Sequence, residues 1–173
     1  RNIVRVAPSL DLHDLVLGFP FTPSDMVLRR EWAFAVNLFD ESLVHFSEDL
    51  DINCRLALAG CRIGGIDRCL NYRRLPGDKV IRNPRQRLES ALRVLDAVFA
   101  DPRTPPEVQA LRGRAYANHY LVWGLGALDV DDAALAMEAL RAARAGRPEL
   151  LEGNPDAVTA QLTYYAAYDE AAD

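Results

Sequence analysis

Three carboxylates stand close together at Glu48, Asp49 and Asp51, directly after Ser47. A carboxylate can take a proton from a hydroxyl group, so such a cluster could supply a general base. The same residues also suit the first turn of a helix, where Ser is a favoured N-cap and the helix dipole stabilises negative charge. Asp51 and Arg55 lie four residues apart and can pair along one face of that helix. Taken alone, the stretch favours a structural helix start over chemistry.

The cysteines and histidines are weaker candidates for chemistry. The three cysteines, at positions 54, 61 and 69, have a spacing that fits neither a disulfide framework nor a zinc site. The three histidines are scattered, with no HxxxH pair and no obvious thiol partner. We therefore predict buried free thiols and no metal ligands in this chain.

Charge and hydropathy exclude several classes of protein. The net charge of -5 and the pI near 5.2 argue against nucleic-acid binding, which needs a basic domain or a basic face. No apolar run approaches the roughly 20 residues that span a bilayer, and no signal peptide opens the chain. These features predict no transmembrane segment and a cytoplasmic location, with peripheral membrane association left open. The chain starts without Met, so targeting information could lie in residues that precede it.

The elements that must position the carboxylates fall into two regions, which meet near Pro84. Residues 1–83 hold short elements punctuated by Gly and Pro, whereas residues 84–173 are dominated by Ala, Leu, Arg and Glu. In the first region we predict a helix from an N-cap at Ser9 to Gly18, a strand at 25–30, a helix at 30–39, a helix from Ser47 to Gly60, and strands at 61–67 and 69–75. The second region predicts four helices, at 83–100, 105–128, 131–145 and 155–171.

The strongest signal is a string of short motifs over about 50 residues. In chain order they are Arg-Arg-Glu, Phe-Asp-Glu, Glu-Asp, Arg-Leu followed by Gly, and Tyr-Arg followed by Pro-Gly, at residues 29–31, 39–41, 48–49, 55–60 and 72–77. Their order and spacing resemble the C-terminal half of the catalytic domain of family 2 glycosyltransferases, which are inverting enzymes of the GT-A type. The proline-rich segment at 18–30 also looks like the acceptor-side loop of that family.

The resemblance implies an α/β fold: the C-terminal half of a GT-A Rossmann-like domain in residues 1–83, followed by a mainly α-helical bundle in residues 84–173. It implies transfer of a sugar from a nucleotide-sugar donor to a saccharide or other acceptor hydroxyl, with inversion. The nucleotide-binding half, with an Asp-x-Asp motif for a divalent cation such as Mg²⁺ or Mn²⁺, is expected before Arg1. This chain alone is therefore expected to be inactive.

The same resemblance assigns roles to individual residues. Asp49 is the catalytic base, and Glu48 helps to orient the acceptor. Substrate binding is assigned to Asp51, Arg55, Tyr72, Arg73 and Arg74. The last two are expected beside the leaving diphosphate, in a basic stretch at 68–87 that has seven Lys or Arg residues against one acid, Asp78. Many relatives carry His before Pro-Gly where this chain has Leu75, so no metal ligand is assigned here.

Two other interpretations of the chain stay open. In a non-enzymatic helical interaction module, the acidic residues would serve only as a helix cap. A nucleic-acid module that uses residues 68–87 is disfavoured by the net charge. Residues 112–148 look like a helical hairpin with small residues at the crossing, and one such unit does not make a solenoid. The helices of the second region would serve a homo-oligomer, or dock an acceptor or a partner.

Overall fold

The computed structural model describes residues 9–18, 22–43, 46–66, 70 and 83–148. In chain order the elements are β1 (Ser9–Leu10), α1 (Leu12–Leu17), a 3-10 turn (Pro23–Asp25), α2 (Arg30–Ala35), α3 (Glu48–Leu58), β2 (Ile63–Gly64), α4 (Pro84–Ala100), α5 (Pro106–Gln109), α6 (Arg112–Leu128) and α7 (Ala133–Gly146). Helices take up 66% of these residues, so the helical part of the predicted fold class is confirmed. In the described part of the chain the sheet is limited to β1 and β2, which pair antiparallel, so the GT-A half stays a prediction.

Helix α1 has a defined start and a defined end, and the sequence predicts the end but not the start. Its N-cap is Asp11, whose carboxylate accepts a hydrogen bond from the Asp14 N–H at 3.1 Å, while Asp14 accepts one from the Asp11 N–H at 3.2 Å. This capping box replaces the predicted cap at Ser9, which lies in β1 instead. The predicted end at Gly18 is confirmed.

The segment before α3 is less regular than predicted. The strand predicted at 25–30 is not formed, since the 3-10 turn at Pro23–Asp25 and irregular backbone take its place. Helix α2 is also shorter than predicted and ends at Ala35. It cannot continue because Asn37 and Leu38 have φ angles of 62° and 60°, which a right-handed helix does not contain. The chain therefore turns sharply after α2.

Helix α3 carries the acidic residues and has a well-defined end. The Gly60 N–H donates to the carbonyl of Ala57 and the Cys61 N–H donates to that of Leu56, both at 2.9 Å, with Gly60 at φ 84°. This pair of bonds is a Schellman motif, which confirms the predicted helix end. At the other end Ser47 occupies the N-cap position with φ 68°, and its side chain makes no capping bond. The predicted Ser47 cap is therefore wrong.

The second region follows the predicted helices closely. A turn at residues 110–111 divides the predicted helix at 105–128 into α5 and α6, and the helix predicted at 155–171 lies outside the described residues. Helices α6 and α7 cross where small residues meet. A Cβ added at Gly124 would lie 2.7 Å from the Ala139 Cβ, and one added at Gly146 would lie 2.5 Å from the Gly113 carbonyl oxygen. The predicted crossing at small residues is confirmed.

One buried cluster joins the two regions across position 83. It contains Leu15 of α1 and Cys54 of α3 together with Leu95 of α4, all of them at most 1% exposed. Burial of a leucine side chain stabilises a fold by about 1.5 to 3 kcal/mol. Two polar contacts reinforce it: Asn118 of α6 donates to the Leu17 carbonyl at 2.7 Å, and its own oxygen accepts from Arg147 at 3.2 Å. The start of α3 is therefore fixed against the helices.

Candidate functional site

Asp49 lies in the first turn of α3 and is half-buried. One of its carboxylate oxygens accepts a hydrogen bond from the Leu50 N–H at 2.8 Å. Burial raises the pKa of Asp49 and the charge of Glu48 adds to this, while backbone N–H groups and Arg87 act in the opposite direction. The helix N-terminus alone predicts a lowered pKa, and that prediction was wrong because the loss of water around the carboxylate outweighs it. Asp49 is therefore a stronger base than an exposed aspartate.

Asp51 and Arg55 form the pair that their spacing predicts, and Arg55 also reaches the loop after α2. The Asp51 carboxylate accepts from Arg55 Nε at 2.9 Å and from a second guanidinium nitrogen. The same guanidinium donates to the carbonyl oxygens of Leu38, at 2.8 Å, and Val36. These carbonyls belong to the sharp turn that leads into the motif at residues 39–41. The contacts give Arg55 a role in holding that loop, and substrate binding by this pair stays a prediction.

The loop held by Arg55 carries a second carboxylate, Asp40, whose pKa is shifted in the opposite direction to that of Asp49. Asp40 accepts a hydrogen bond from the Ser42 N–H at 2.8 Å, and hydrogen bonds from Ser42 lower the pKa of Asp40. The Ser42 hydroxyl in turn accepts from Arg93 of α4 at 3.2 Å. Of Asp40 and Asp49, only Asp49 has the raised pKa that is expected of a general base.

Arg87 of α4 approaches the start of α3. Its guanidinium carbon lies 3.9 Å from the centre of the Phe46 ring and 5.5 Å from the centre of the Trp123 ring in α6. Both distances fall in the range of cation–π contacts. Phe46 comes three residues before Asp49, so this contact sets the approach of the chain to the site. The sequence placed Arg87 only in the basic stretch at 68–87 and gave no signal for this contact.

The buried thiol and imidazole are packed into the core. Cys54 is a buried free thiol, as predicted, whereas Cys61 is a free thiol that is only half-buried. Burial raises the pKa of Cys54, which makes it a poor nucleophile. The third cysteine, Cys69, lies outside the described residues. Burial also lowers the pKa of His119 to about 4, so this imidazole is neutral near pH 7. Its Nε2 has no hydrogen-bond partner in the described part of the chain.

Among the residues that the structure describes, no group around Asp49 could hold the divalent cation that the resemblance implies for the whole enzyme. Within the described ranges, one group could hold a metal: Asp11, His13 and Asp14, whose ligand atoms lie within 4.8 Å of one another. This group is mostly exposed and belongs to the capping box of α1. The cation expected through an Asp-x-Asp motif therefore stays a prediction about residues outside this chain.

Three predicted substrate-binding residues, Tyr72, Arg73 and Arg74, lie outside the described residues. Among the helices that the structure describes, none combines the length and apolar character needed to cross a membrane. Comparisons with known proteins found no match to any family model, and neither the curated proteins nor the solved structures yielded a similar one. A functional assignment therefore depends on the sequence motifs and on the surroundings of Asp49.

Proposed function

We propose that this chain is the acceptor side of an inverting, family 2-like glycosyltransferase with a helical extension, and that Asp49 takes the proton from the acceptor hydroxyl. The order of the motifs at residues 29–77 suggests the reaction. The observation that carries the proposal is the state of Asp49, a half-buried carboxylate with a raised pKa and no ion pair among the described residues. Asp51, two residues further on, is instead paired with Arg55.

In the proposed reaction the acceptor oxygen forms a bond to the anomeric carbon of the donor sugar. The bond from that carbon to the nucleoside diphosphate breaks, and the diphosphate leaves with the bonding electron pair. The hydroxyl proton passes to the Asp49 carboxylate. The pKa of this group is raised, which brings it closer to neutral pH and makes it a better proton acceptor. Glu48 orients the acceptor, and the family resemblance assigns Arg73 and Arg74 to the leaving diphosphate. The donor is held mainly by residues outside this chain.

The test is turnover of the full-length protein, measured as release of nucleoside diphosphate from UDP- and GDP-sugars. Loss of a general base typically costs about 10²- to 10⁴-fold, so we expect a decrease in kcat of that size for Asp49→Asn. Asp131→Asn is the matched control, because Asp131 is exposed and its φ of 57° suits Asn. Turnover of Asp49→Asn within a few-fold of the wild type would contradict the proposal.

The effect of Asp49→Asn on the free energy of unfolding also distinguishes a catalytic base from a residue that only caps the helix. A raised pKa in the fold means that the protonated form stabilises it below the ordinary value of 3.8, and that this stabilisation is lost as the pH rises through the raised value. At neutral pH Asp49→Asn should therefore raise the free energy of unfolding, measured in urea. Asn keeps the acceptor for the Leu50 N–H. A capping role alone predicts little change in the free energy of unfolding, because Asn is about as good a helix cap as Asp.

A second candidate, a non-enzymatic helical interaction module, is supported by exposed apolar side chains in the helical region. They are Leu128, Met137 and Leu140, each more than two-fifths exposed. Exposed apolar groups are typical of surfaces that contact a partner. The turnover assay separates the two candidates, because a module that only binds partners releases no nucleoside diphosphate from any donor.

A further inference from the structure

The guanidinium of Arg87 joins three parts of the molecule at the start of α3. Arg87 belongs to α4, Phe46 lies in the segment that leads into α3, and Trp123 belongs to α6. All three side chains are half-buried. The guanidinium lies closer to Phe46, at 3.9 Å from the ring centre, than to Trp123, at 5.5 Å. The helical region thus contacts the residues next to Asp49 through a charged group.

This contact fixes orientation as well as position. A guanidinium is planar and stacks on an aromatic face, whereas the ammonium of Lys is a compact point charge on a flexible stem. Phe46 is followed directly by Ser47, whose φ of 68° is uncommon for a residue other than Gly. Such a backbone persists where surrounding contacts hold it. The ring held by Arg87 is one of the contacts at this point in the chain.

We infer that Arg87 is a positioning residue for the proposed base: held against Phe46 and Trp123, it fixes the entry to α3 and keeps a positive charge near the Asp49 carboxylate. The helical region then completes the acceptor site. This inference rests on the proposed function, because it assigns Arg87 a part in the same proton transfer. It gives α4 and α6 a role in the chemistry in addition to their packing.

The electrostatics agree with the geometry. Among the described residues, two charged side chains act on the Asp49 carboxyl: Glu48 in the same helical turn, and Arg87 from α4. Glu48 and burial favour the protonated carboxyl, whereas Arg87 favours the ionised form that accepts a proton. Removal of the Arg87 charge should therefore leave Asp49 protonated up to a higher pH.

The experiment compares two substitutions that separate charge from shape. Arg87→Gln keeps a planar group and loses the charge, whereas Arg87→Lys keeps the charge and loses the planar stack. The pKa of Asp49 is read from a carbon-13 carboxyl NMR titration of the full-length protein, with the signal assigned through Asp49→Asn. The control is Arg85→Gln, because Arg85 lies on the same helix and pairs with the exposed Glu138 at 3.2 Å.

We expect Arg87→Gln to move the Asp49 titration, and the acid limb of kcat/KM, to higher pH. We expect Arg87→Lys to titrate close to the wild type, and Arg85→Gln not to move the titration. Equal titrations of Asp49 in Arg87→Gln and Arg85→Gln would overturn the inference. Unfolding of Arg87→Gln alone, judged by circular dichroism, would also overturn it, because the role would then be purely structural.

Two combinations distinguish the inference from the proposed function. If the titration does not move but Asp49→Asn loses turnover, the role of Arg87 fails and the proposed function stands. If the titration moves but Asp49→Asn keeps its turnover, the proposed function fails and the role of Arg87 in proton transfer fails with it.

Discussion

The buried contact around Asn118 predicts that the two regions unfold together. Asn118 is 1% exposed, and it links the end of α1 to α6 and α7 through Leu17 and Arg147. Asn118→Ala removes both hydrogen bonds and adds none. We therefore expect Asn118→Ala, although it lies in α6, to destabilise the first region (residues 1–83) as strongly as the helical second region.

The magnitude follows from the two groups that lose a partner. The Leu17 carbonyl loses a part-buried bond from Asn118 Nδ2, and a typical intramolecular hydrogen bond contributes about 0.5 to 1.5 kcal/mol. A hydrogen bond to a charged group contributes about 1.5 to 3 kcal/mol, and Arg147 has a further interaction that limits its loss. The expected sum is about 3 kcal/mol. For a chain of this size, that lowers the melting temperature by roughly 6 to 12 °C.

The chain offers one tryptophan on each side of position 83 as a reporter. The sequence contains two, Trp32 beside α3 and Trp123 in α6, so replacing one with Phe leaves the other as the only tryptophan. Urea unfolding of both single-tryptophan proteins, with and without Asn118→Ala, measures the stability at each position. Gln86→Ala, at an exposed position on α4, is the control and should stay within about 0.5 kcal/mol.

Coincident transitions for the two reporters, both shifted by Asn118→Ala, are the expected result. The reasoning would be refuted if only Trp123 reported the destabilisation, because the first region would then fold independently. A loss below about 1 kcal/mol would also refute it, since the buried bond from Arg147 alone is expected to contribute about 1.5 to 3 kcal/mol.

Two further predictions concern the helices. Burial lowers the pKa of His119 from its ordinary value of 6.5 to about 4, so between these pH values the unfolded chain binds a proton that the folded protein does not. The free energy of unfolding should therefore fall by about 3 kcal/mol as the pH drops from 6.5 to 4. His119→Gln should flatten this decline when unfolding in urea is measured across that pH range. Gly146→Ala should destabilise the fold by about 1 to 3 kcal/mol, because the added Cβ would lie 2.5 Å from the Gly113 oxygen, and Gly113→Ala, with its Cβ at 3.1 Å, should cost less in the same assay.

Those parts of the fold that depend on local residues could be predicted from the sequence. Helix α4 and the end of α3 follow from Pro84, Gly60 and the spacing of apolar residues, and the crossing of α6 and α7 follows from small side chains. The turn after α2 could not be predicted, because Asn37 and Leu38 adopt positive φ in a loop that Arg55 holds through tertiary contacts. Propensity carries no information about such contacts.

The candidate site divides in the same way. Spacing predicts the Asp51–Arg55 pair, and the motif order places Glu48 and Asp49 at a helix start. The sign of the pKa shift of Asp49 could not be predicted, because it depends on how much water the fold removes from the carboxylate. The contact of Arg87 with Phe46 and Trp123 joins distant parts of the chain, which no local pattern encodes.

Two aspartates in one turn of α3 have opposite surroundings, and this contrast is the strongest physical argument for function. Asp49 and Asp51 are separated by about 200° around the helix, so they face different neighbours. Asp51 is neutralised by Arg55, as expected of a residue that stabilises the fold. Asp49 is half-buried with a raised pKa, so its ionised form costs stability at neutral pH. A carboxylate whose ionised form destabilises the fold is expected at a site where catalysis needs the ionised carboxylate. The sign of the stability change for Asp49→Asn therefore tests the site without any knowledge of the donor or the acceptor.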